Sequence, residues 1–384
     1  MSKRVYLINL SFGLAGIERR FANIWRVLHR RGAVFPILVI PSALALKLQA
    51  ADLLPTEPGS VIVVPEPRPL TELGEIHLPT ILETPLAIIR SRIVGLSYRR
   101  IWRQIEQYPG AIVHIGLACS ALRPPDVPTV YECVDASLQY LGKALYRSAS
   151  RRRCIVHCQT ERIRSALEAR FAAQVPRWQT ITNPTYFAHY DDSPPTEERD
   201  PRLVAFVGRL CPDKNPFLFI EAIARARQRG CDCYAIMLGE GPLRSQADAL
   251  IKRYSLDTVV SINFHPKPLC IVSSAAVYVS LQADDNFGSQ ALLEAMGAGC
   301  AVIASDVGET SKIVTEEVGV RVPLTVESVT RAIELLVGSP ERTRQFGVCA
   351  TKIARTKYSA DRYASFLESL YERAAQYHRT SDRS

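Results

Sequence analysis

The sequence lacks the long apolar runs that membrane-spanning helices need. No segment approaches the roughly 18 uninterrupted apolar residues of a transmembrane helix, although 47% of the 384 residues are hydrophobic. The apolar run at 4–10 (RVYLINL) is too short for the core of a signal peptide, and no clear cleavage site follows it, so it predicts a first β-strand. The length predicts two domains, because single cores rarely grow beyond about 250–300 residues.

The ten cysteines lack the spacing of a disulfide framework or a metal site. No C-x-x-C pair occurs, no cluster of cysteine and histidine has zinc spacing, and no D-x-D acid pair stands out. We therefore expect no bound metal. Scattered cysteines without framework spacing are typical of the reducing cytosol, so we expect a cytoplasmic protein.

Several catalytic fingerprints are also missing. The sequence contains no G-x-G-x-x-G, which argues against a dinucleotide-binding domain of the usual kind, and no G-x-x-x-x-G-K-[ST], which excludes a P-loop ATPase. It contains neither G-x-S-x-G nor H-E-x-x-H, the motifs of serine hydrolases and zinc proteases.

Basic residues, in contrast, are in excess, and the formal net charge is +9. Such a balance is compatible with nucleic-acid binding, but no nucleic-acid-binding module is recognisable, so we expect no nucleic-acid partner. An anionic membrane surface or a phosphate-bearing substrate explains the charge better.

Apolar strands separated by helical patterns run along most of the chain. The strands do not alternate apolar and polar residues, which is typical of parallel strands that are covered on both faces. The polar, proline-rich stretch at 190–202 (YDDSPPTEERDPR) separates two such series. The pattern therefore predicts two α/β domains, at 1–192 and 193–358, followed by a C-terminal helix and tail at 359–384.

Two loops of the second domain carry candidate binding residues, because ligands of open parallel sheets bind at the carboxyl ends of strands. The loop after LVAFVG holds Arg209 and Lys214 just before a predicted helix, and two cations at a helix start suit a dianionic phosphate. A solvated basic loop explains this pair equally well. The loop at 239–242 (GEGP) would let the backbone approach a ligand closely, although a tight turn explains it too.

The segment at 284–299 (DDNFGSQALLEAMGAG) is the most informative part of the chain. Gly288 precedes a helix predicted from about Ser289, whose free N–H groups favour an anion. Glu294 lies about one and a half turns into that helix, among apolar neighbours. Its carboxylate is suited to accept hydrogen bonds from a sugar diol such as a ribose, and the alternative is an ordinary surface glutamate.

The first domain offers fewer candidates. Gly16 lies at a strand-to-helix turn where the backbone could approach a diphosphate. His114 lies near the end of the predicted strand AIVHIG, either facing a ligand cleft or buried as a structural histidine.

These motifs in combination resemble the retaining, nucleotide-sugar-dependent glycosyltransferases of family 4. The resemblance rests on Arg209 with Lys214, on GEGP, and on the segment 285–310 (DNFGSQALLEAMGAGCAVIASDVGET). It is strong over about 200–360 and weaker but continuous over 1–190. It implies the GT-B fold, in which two Rossmann-like α/β/α domains face a central cleft and a C-terminal helix crosses back to the first domain.

The resemblance also implies roles for single residues. Arg209 and Lys214 match the pair that holds the donor diphosphate and stabilises its departure, and Glu294 matches the second glutamate of an E-x7-E motif, which binds the ribose. For the first acid of that motif, Asn286 has the strict spacing and Asp285 lies one residue earlier, and we choose Asp285 for the catalytic role.

Further positions follow from the same resemblance. His114 stands where the family often has the first histidine of a His-x-His pair, and Gly116 occupies the second place. The residues that the resemblance places at the donor, besides Glu294, are Gly16, Gly208, Gly239, Glu240, Asn286, Phe287, Gly288, Ser289 and Gln290.

The chemistry that the family implies needs no metal and no cofactor beyond the nucleotide sugar. Arg and Lys meet the charge that develops on the leaving diphosphate. In retaining members the departing phosphate is thought to help deprotonate the acceptor on the same face, so few protein acids or bases are needed.

The acceptor is expected to bind the first domain and to be a glycan or a lipid-linked molecule. The segment at 86–107 (LAIIRSRIVGLSYRRIWRQIEQ) reads as a basic amphipathic helix that either lies on an anionic membrane or packs on the sheet, and the segment at 144–153 adds positive charge. These segments favour a role in cell-envelope or exopolysaccharide synthesis at the inner face of the cytoplasmic membrane.

Other functions stay open on the sequence alone. The donor could carry uridine or guanosine diphosphate. The altered acidic motif and Gly116 are compatible with a non-catalytic sugar-nucleotide-binding protein of the same fold. A GT-B epimerase acting on the sugar nucleotide itself is the other alternative.

Overall fold

A computed structural model gives the architecture for most of the chain. The residues that it describes are 3–9, 16–64, 101–116, 126–133, 154–170, 178–182, 199–265 and 267–379, with backbone alone for 16–17 and 178–182. By their internal contacts, Met1–Pro184 and Tyr363–Ser384 form one unit, and Thr185–Arg362 form a second.

The first unit contains a seven-stranded sheet with helices. Its strands are β1 (Lys3–Ile8), β2 (Val34–Pro41), β3 (Val61–Val64), β4 (Ile112–Ile115), β5 (Thr129–Cys133), β6 (Cys154–Cys158) and β7 (Trp178–Thr182). Its helices in the described ranges include α1 (Gly16–Arg31), α2 (Ser42–Ala50) and α3 (Glu161–Arg170). All neighbouring strands are parallel, in the order β3-β2-β1-β4-β5-β6-β7.

The second unit contains a six-stranded parallel sheet, in the order β10-β9-β8-β11-β12-β13. Its strands are β8 (Asp200–Val207), β9 (Tyr234–Leu238), β10 (Val260–Asn263), β11 (Ala275–Ser280), β12 (Ala301–Ser305) and β13 (Gly319–Val322). The helices are α4 (Pro216–Gln228), α5 (Arg244–Arg253), the short α6 (Leu269–Val272), α7 (Gln290–Ala298), α8 (Val326–Val337), α9 (Pro340–Lys357) and the start of α10 (Ala360–Arg379).

Both faces of the second sheet are covered by apolar layers. One layer joins alternate strand residues such as Val204 and Phe206 to helices α4 and α8, and the other joins Ala205 and Tyr278 to helices α7 and α9. Strands buried on both faces need apolar residues at every position, which explains why the sequence shows no alternation.

The strand order of each sheet contains one reversal. In the second sheet β8 pairs with β9 on one side and with β11 on the other, so the loops that leave the carboxyl ends of β8 and β11 are neighbours. In the first sheet β1 and β4 occupy the equivalent places. A reversal of this kind is where open parallel sheets bind their ligands.

The structure corrects three expectations about local structure. Strands β7 and β13 were not predicted, because three of the five residues of WQTIT are polar and GVRV is short and begins with glycine. Strand β8 begins at Asp200, inside the proline-rich stretch at 190–202 that was expected to separate the two domains, and the part of that stretch up to 198 lies outside the described residues.

The predicted basic helix at 86–107 is described only from residue 101. Residues 101–106 are helical, and Ile101, Trp102 and Ile105 are buried in the core of the first unit. This end of the segment therefore packs on the sheet, which was the alternative to a helix lying on an anionic membrane. Among the described helices none is long and apolar enough to cross a membrane.

The predicted C-terminal helix corresponds to α10. The backbone N–H of Arg362 donates to Ser359 Oγ at 3.3 Å, so Ser359 caps the start of the helix. From Tyr363 onward the helix belongs to the first unit, where Arg31 pairs with Glu368 at 2.8 Å.

Candidate active site

The first loop of the site follows β8 and carries the two predicted cations. Arg209 is exposed, and Lys214 is half-buried. Lys214 Nζ donates to Gln282 Oε1 at 2.5 Å, and Asn215 Nδ2 donates to the carbonyl of Leu281 at 2.8 Å, so this loop is tied to the loop that follows β11. Burial lowers the pKa of Lys214 below its ordinary value, although the neighbouring Asp213 opposes this effect.

The turn after Lys214 starts helix α4. Asn215 adopts the left-handed conformation, with φ of 51°, and Pro216 is the first helical residue. Proline suits this position because its missing N–H would have no partner within the helix. The loop thus presents Arg209 and Lys214 close to the free N–H groups of a helix start, an arrangement that suits a phosphate.

The second loop, predicted as GEGP, packs directly against the first. A Cβ atom at Gly239 would lie 2.0 Å from the carbonyl oxygen of Gly208, so no larger residue fits there without displacing the backbone. Leu210 N–H donates to the carbonyl of Glu240 at 2.9 Å. The Glu240 side chain is exposed and pairs with Arg244 at 3.0 Å.

The third loop holds the altered acidic motif, and the structure separates its two candidate residues. Asn286 is fully buried. Its amide nitrogen donates to Ser305 Oγ at 2.9 Å and to Thr310 Oγ1 at 3.2 Å, while its Oδ1 accepts from Ser280 Oγ at 2.6 Å. The hydrogen-bonding groups of the Asn286 side chain are therefore already used inside the unit, and the predicted place of Asn286 at the donor stays a prediction.

Asp285 is only partly buried and organises the same loop. Its Oδ1 accepts the backbone N–H of Phe287 at 2.8 Å and that of Glu309 at 3.1 Å. These two bonds join the loop after β11 to the loop after β12. They give Asp285 a positioning role whether or not its carboxylate also touches a sugar, and its catalytic role stays a prediction.

Helix α7 begins as predicted. Gly288 has φ of 89°, which favours glycine, and Ser289 Oγ accepts the N–H of Leu292 at 3.4 Å as the cap. Phe287 and Gln290 are partly buried, and within the described residues the amide of Gln290 has no hydrogen-bond partner. A side-chain amide in this state, beside a helix start, is available for a ligand.

Glu294 lies on the first turns of α7, 5% exposed, and is not a surface glutamate. It lines a shallow pocket together with apolar side chains from the end of β8 and from α6. The pocket residues besides Glu294 are Val207, Pro268, Leu269, Val272, Ala291 and Ala295. Burial, with the nearby Glu294 charge, raises the pKa of Tyr278 well above its ordinary value. A buried carboxylate at the wall of an apolar pocket suits a ligand that has both a flat apolar part and a diol.

His114 of the first unit is fully buried, so its predicted catalytic role is not supported by its position. Its Nδ1 lies 2.9 Å from the hydroxyl of Tyr371, and its Nε2 lies 3.3 Å from Glu132 Oε2. A Cβ atom at Gly116 would lie 3.0 Å from the ring of Phe21, so the second histidine of a His-x-His pair would require this ring to shift.

An acid and a second histidine, neither of which was predicted from the sequence, lie beside His114. Glu132 and His157 are fully buried beside it. Burial lowers the pKa of His157 to about 3, against the opposing effect of Glu132. Burial would raise the pKa of Glu132, but Arg20 and the imidazoles hold it well below its usual range. No spacing rule connects 114, 132 and 157, because only the strand order brings them together.

Gly16 begins helix α1, and the residues before it, at 10–15, lie outside the described part of the chain. Gln282, which accepts from Lys214, and Glu309, whose N–H bonds to Asp285, were not predicted. Gln282 could have been found by the strand-end rule, since it lies two residues after the end of β11.

Comparison with known proteins agrees with this architecture. Residues 191–352 match the family described as glycosyl transferases group 1. The structure of Staphylococcus aureus TarM, solved with fondaparinux, alpha-GlcNAc-glycerol and UDP, superposes with a TM-score of 0.72 over 96% of this chain and 99% of that one, at 11% identity. The fold is therefore GT-B, as the sequence predicted.

Two curated relatives match over part of the chain. Alpha-D-kanosaminyltransferase of Streptomyces kanamyceticus is 26% identical over 248 residues, which is 60% of this chain and 63% of the relative. GDP-mannose-dependent alpha-(1-6)-phosphatidylinositol dimannoside mannosyltransferase of Mycobacterium tuberculosis is 27% identical over 143 residues, 37% of each chain. The matches thus span less than two thirds of these relatives.

Proposed function

We propose that the protein is a glycosyltransferase that takes a sugar from a nucleotide diphosphate sugar bound in the second unit. One observation carries the proposal. The loops after β8 and β11 meet at the strand-order reversal and bring the Lys214 cation, the start of α7 and the Glu294 pocket to one end of the sheet. Cation, helix start and diol acceptor are what a nucleotide diphosphate requires.

The donor would lie along these groups in a defined order. Glu294 accepts hydrogen bonds from the ribose hydroxyls, and the apolar residues beside it contact the ribose and base. Arg209 and Lys214 contact the diphosphate. Arg209 is exposed and Lys214 already makes a polar contact with Gln282, so both side chains lie at a surface that a ligand can reach.

The same cations would promote departure of the sugar. As the bond between the anomeric carbon and the diphosphate oxygen breaks, negative charge grows on that oxygen, and Arg209 and Lys214 stabilise it. We propose that transfer retains the anomeric configuration, with the departing phosphate oxygen accepting the proton of the attacking hydroxyl on the same face. The two positive side chains would take the part of a metal ion, so no added divalent metal and no further cofactor would be needed.

The proposed acceptor is a glycan or a lipid-linked molecule bound through the first unit. The Mycobacterium relative acts, by its name, on a phosphatidylinositol dimannoside, and the net charge of +9 would favour such an anionic acceptor at the inner face of the cytoplasmic membrane. The relatives differ in donor, since that protein is GDP-mannose-dependent and TarM was solved with UDP. We therefore propose a UDP- or GDP-linked sugar and a role in cell-envelope or exopolysaccharide synthesis.

The test is a product assay with a panel of UDP- and GDP-sugars. Release of the nucleotide is followed with and without simple glycan and lipid-linked acceptors, and the product anomer is read by NMR. Transfer or slow donor hydrolysis by the wild type, with an unchanged anomer, is expected. If no donor in the panel is consumed, the non-catalytic alternative replaces the proposal, and a changed sugar without acceptor would instead identify an epimerase.

A further inference from the structure

A buried group of three potential metal ligands lies inside the first unit, apart from the proposed donor site. His114, Glu132 and His157 stand on the neighbouring strands β4, β5 and β6. Glu132 pairs directly with His157 in the sheet, and His114 pairs with the residue two before Glu132, so all three side chains point to the same face. One potential ligand atom from each residue lies within 4.8 Å of the other two.

The atoms that face one another are those left without hydrogen bonds. Among the described residues, His114 Nε2, Glu132 Oε2 and both ring nitrogens of His157 have no hydrogen-bond partner, and all three residues are fully buried. His114 Nε2 and Glu132 Oε2 are 3.3 Å apart, which is an ion-pair distance if the imidazole is protonated. Polar atoms that are buried without partners are costly, so a group of them converging on one point calls for an occupant.

The other polar atoms of the carboxylate and of one imidazole are held from outside. Glu132 Oε1 accepts from Arg20 Nε at 2.6 Å and from Gln159 Nε2 at 3.2 Å, and His114 Nδ1 contacts the hydroxyl of Tyr371 at 2.9 Å. In metal sites, partners of this kind fix the orientation of the ligating carboxylate and imidazole.

We propose that His114 Nε2, Glu132 Oε2 and a ring nitrogen of His157 bind one zinc ion. Two imidazoles and a carboxylate form a ligand set that zinc accepts, and a water can take the fourth position. Bonds of about 2.1 Å in tetrahedral geometry put ligand atoms about 3.4 Å apart, close to the observed 3.3 Å between His114 and Glu132. His157 would have to move closer by a small rotation.

The ion would be structural, because none of its ligands reaches the surface. It would join three strands of the first sheet to α10 through Tyr371 and through Arg20, which contacts the hydroxyl of Tyr363 at 2.6 Å. Arg20 already neutralises Glu132, so an added ion leaves the group with excess positive charge, and its affinity should be lower than that of a site with a free carboxylate.

The experiment measures zinc in protein that carries no polyhistidine tag. The purified full chain is stripped with a chelator, titrated with Zn²⁺, desalted, and analysed by elemental mass spectrometry. Wild type should retain one equivalent, and Glu132→Gln and His157→Gln should each retain less than about a tenth of that. His265→Gln, which changes a partly exposed histidine of the second unit, is the matched control and should retain a full equivalent.

A second readout covers the case in which the variants do not fold. Wild-type protein loaded with Co²⁺ should show the visible absorption of a four-coordinate nitrogen and oxygen site, and added Zn²⁺ should abolish it. Wild type that retains no zinc, or that shows no such Co²⁺ spectrum, would overturn the proposal and leave a metal-free polar cluster. Nucleotide binding, measured in parallel, reports on the second unit separately.

Discussion

The side-chain amide of Asn286 donates to the hydroxyl of Ser305 at 2.9 Å, and this bond lies wholly inside the second unit. It fixes the loop after β11 to the end of β12. Because Asn286 is used in this way, the acid beside it, Asp285, is left at the partly exposed position of the motif. Asn286 thus stabilises the loop through buried hydrogen bonds, and Asp285 stabilises it from the partly exposed side.

Replacing Asn286 by alanine should destabilise the second unit. The change removes the acceptor of the Ser280 hydroxyl and a donor to the Ser305 carbonyl, and each unsatisfied buried group costs about 1–3 kcal/mol. We expect a fall of about 2–4 kcal/mol in the free energy of unfolding, measured by urea denaturation. Asn263→Ala, at an exposed asparagine of the same unit, should change it by less than about 0.5 kcal/mol. Equal effects of the two changes would contradict the structural role of Asn286.

We expect that Gly239 tolerates no side chain, whereas Gly208, its neighbour in space, tolerates one. Alanine at Gly239 places Cβ 2.0 Å from the Gly208 carbonyl oxygen, while a Cβ at Gly208 meets nothing closer than 3.9 Å. Overpacking costs about 1–3 kcal/mol or more. We therefore expect Gly239→Ala to lower the melting temperature by several degrees and Gly208→Ala to leave it nearly unchanged, by calorimetry. A stable Gly239→Ala protein would mean that the two loops are less closely packed.

The proposed ribose contact predicts a discrimination that depends on Glu294. Calorimetric titration with a nucleoside diphosphate and with its 2′-deoxy form should show that wild type prefers the ribose form by about tenfold or more, the value of a hydrogen bond to a charged group. Glu294→Ala should bind the two forms alike. If the variant keeps the full preference, some other residue holds the 2′-hydroxyl.

Loss of the Lys214 proton should limit activity at alkaline pH. Burial lowers its pKa, so the lysine of the free enzyme loses its proton at a lower pH than an ordinary lysine does, and with it the positive charge that the diphosphate needs. We expect kcat/KM to fall as rising pH removes this proton. In Lys214→Arg the fall should disappear or move to higher pH, since a guanidinium keeps its proton. An identical profile in both proteins would assign the limit to another group.

Much of the second unit could be predicted from its sequence, because its motifs are local. Arg209, Lys214 and the start of α7 lie in or at the end of loops that follow strands, and strand ends of a parallel sheet converge by geometry. The choice between Asp285 and Asn286 could not be predicted, since spacing favoured the residue that packing then buried. Hydrogen bonds from Asn286 to Ser305 and Thr310 decide which of the two adjacent residues is buried, and these partners lie about 20 residues further along the chain.

The first unit was harder to predict for a different reason. His114 was singled out by its place near a strand end, but its side chain points into the space between the sheet and the helices α1 and α10, where Phe21 and Tyr371 contact it. Its partners Glu132 and His157 share no motif with it. Only the order of β4, β5 and β6, which no local pattern contains, makes the three residues neighbours.

The central claim is that the loops after β8 and β11 bind the diphosphate of a nucleotide sugar, and nucleotide titration tests it most directly. UDP and GDP are titrated calorimetrically into wild type, Arg209→Ala, Lys214→Ala and the control Arg202→Ala, an exposed arginine earlier on β8. Wild type and the control should bind one nucleotide equally, and the two loop variants should each lose about tenfold or more in affinity. Undiminished binding by both loop variants, or no binding by wild type, would contradict the claim.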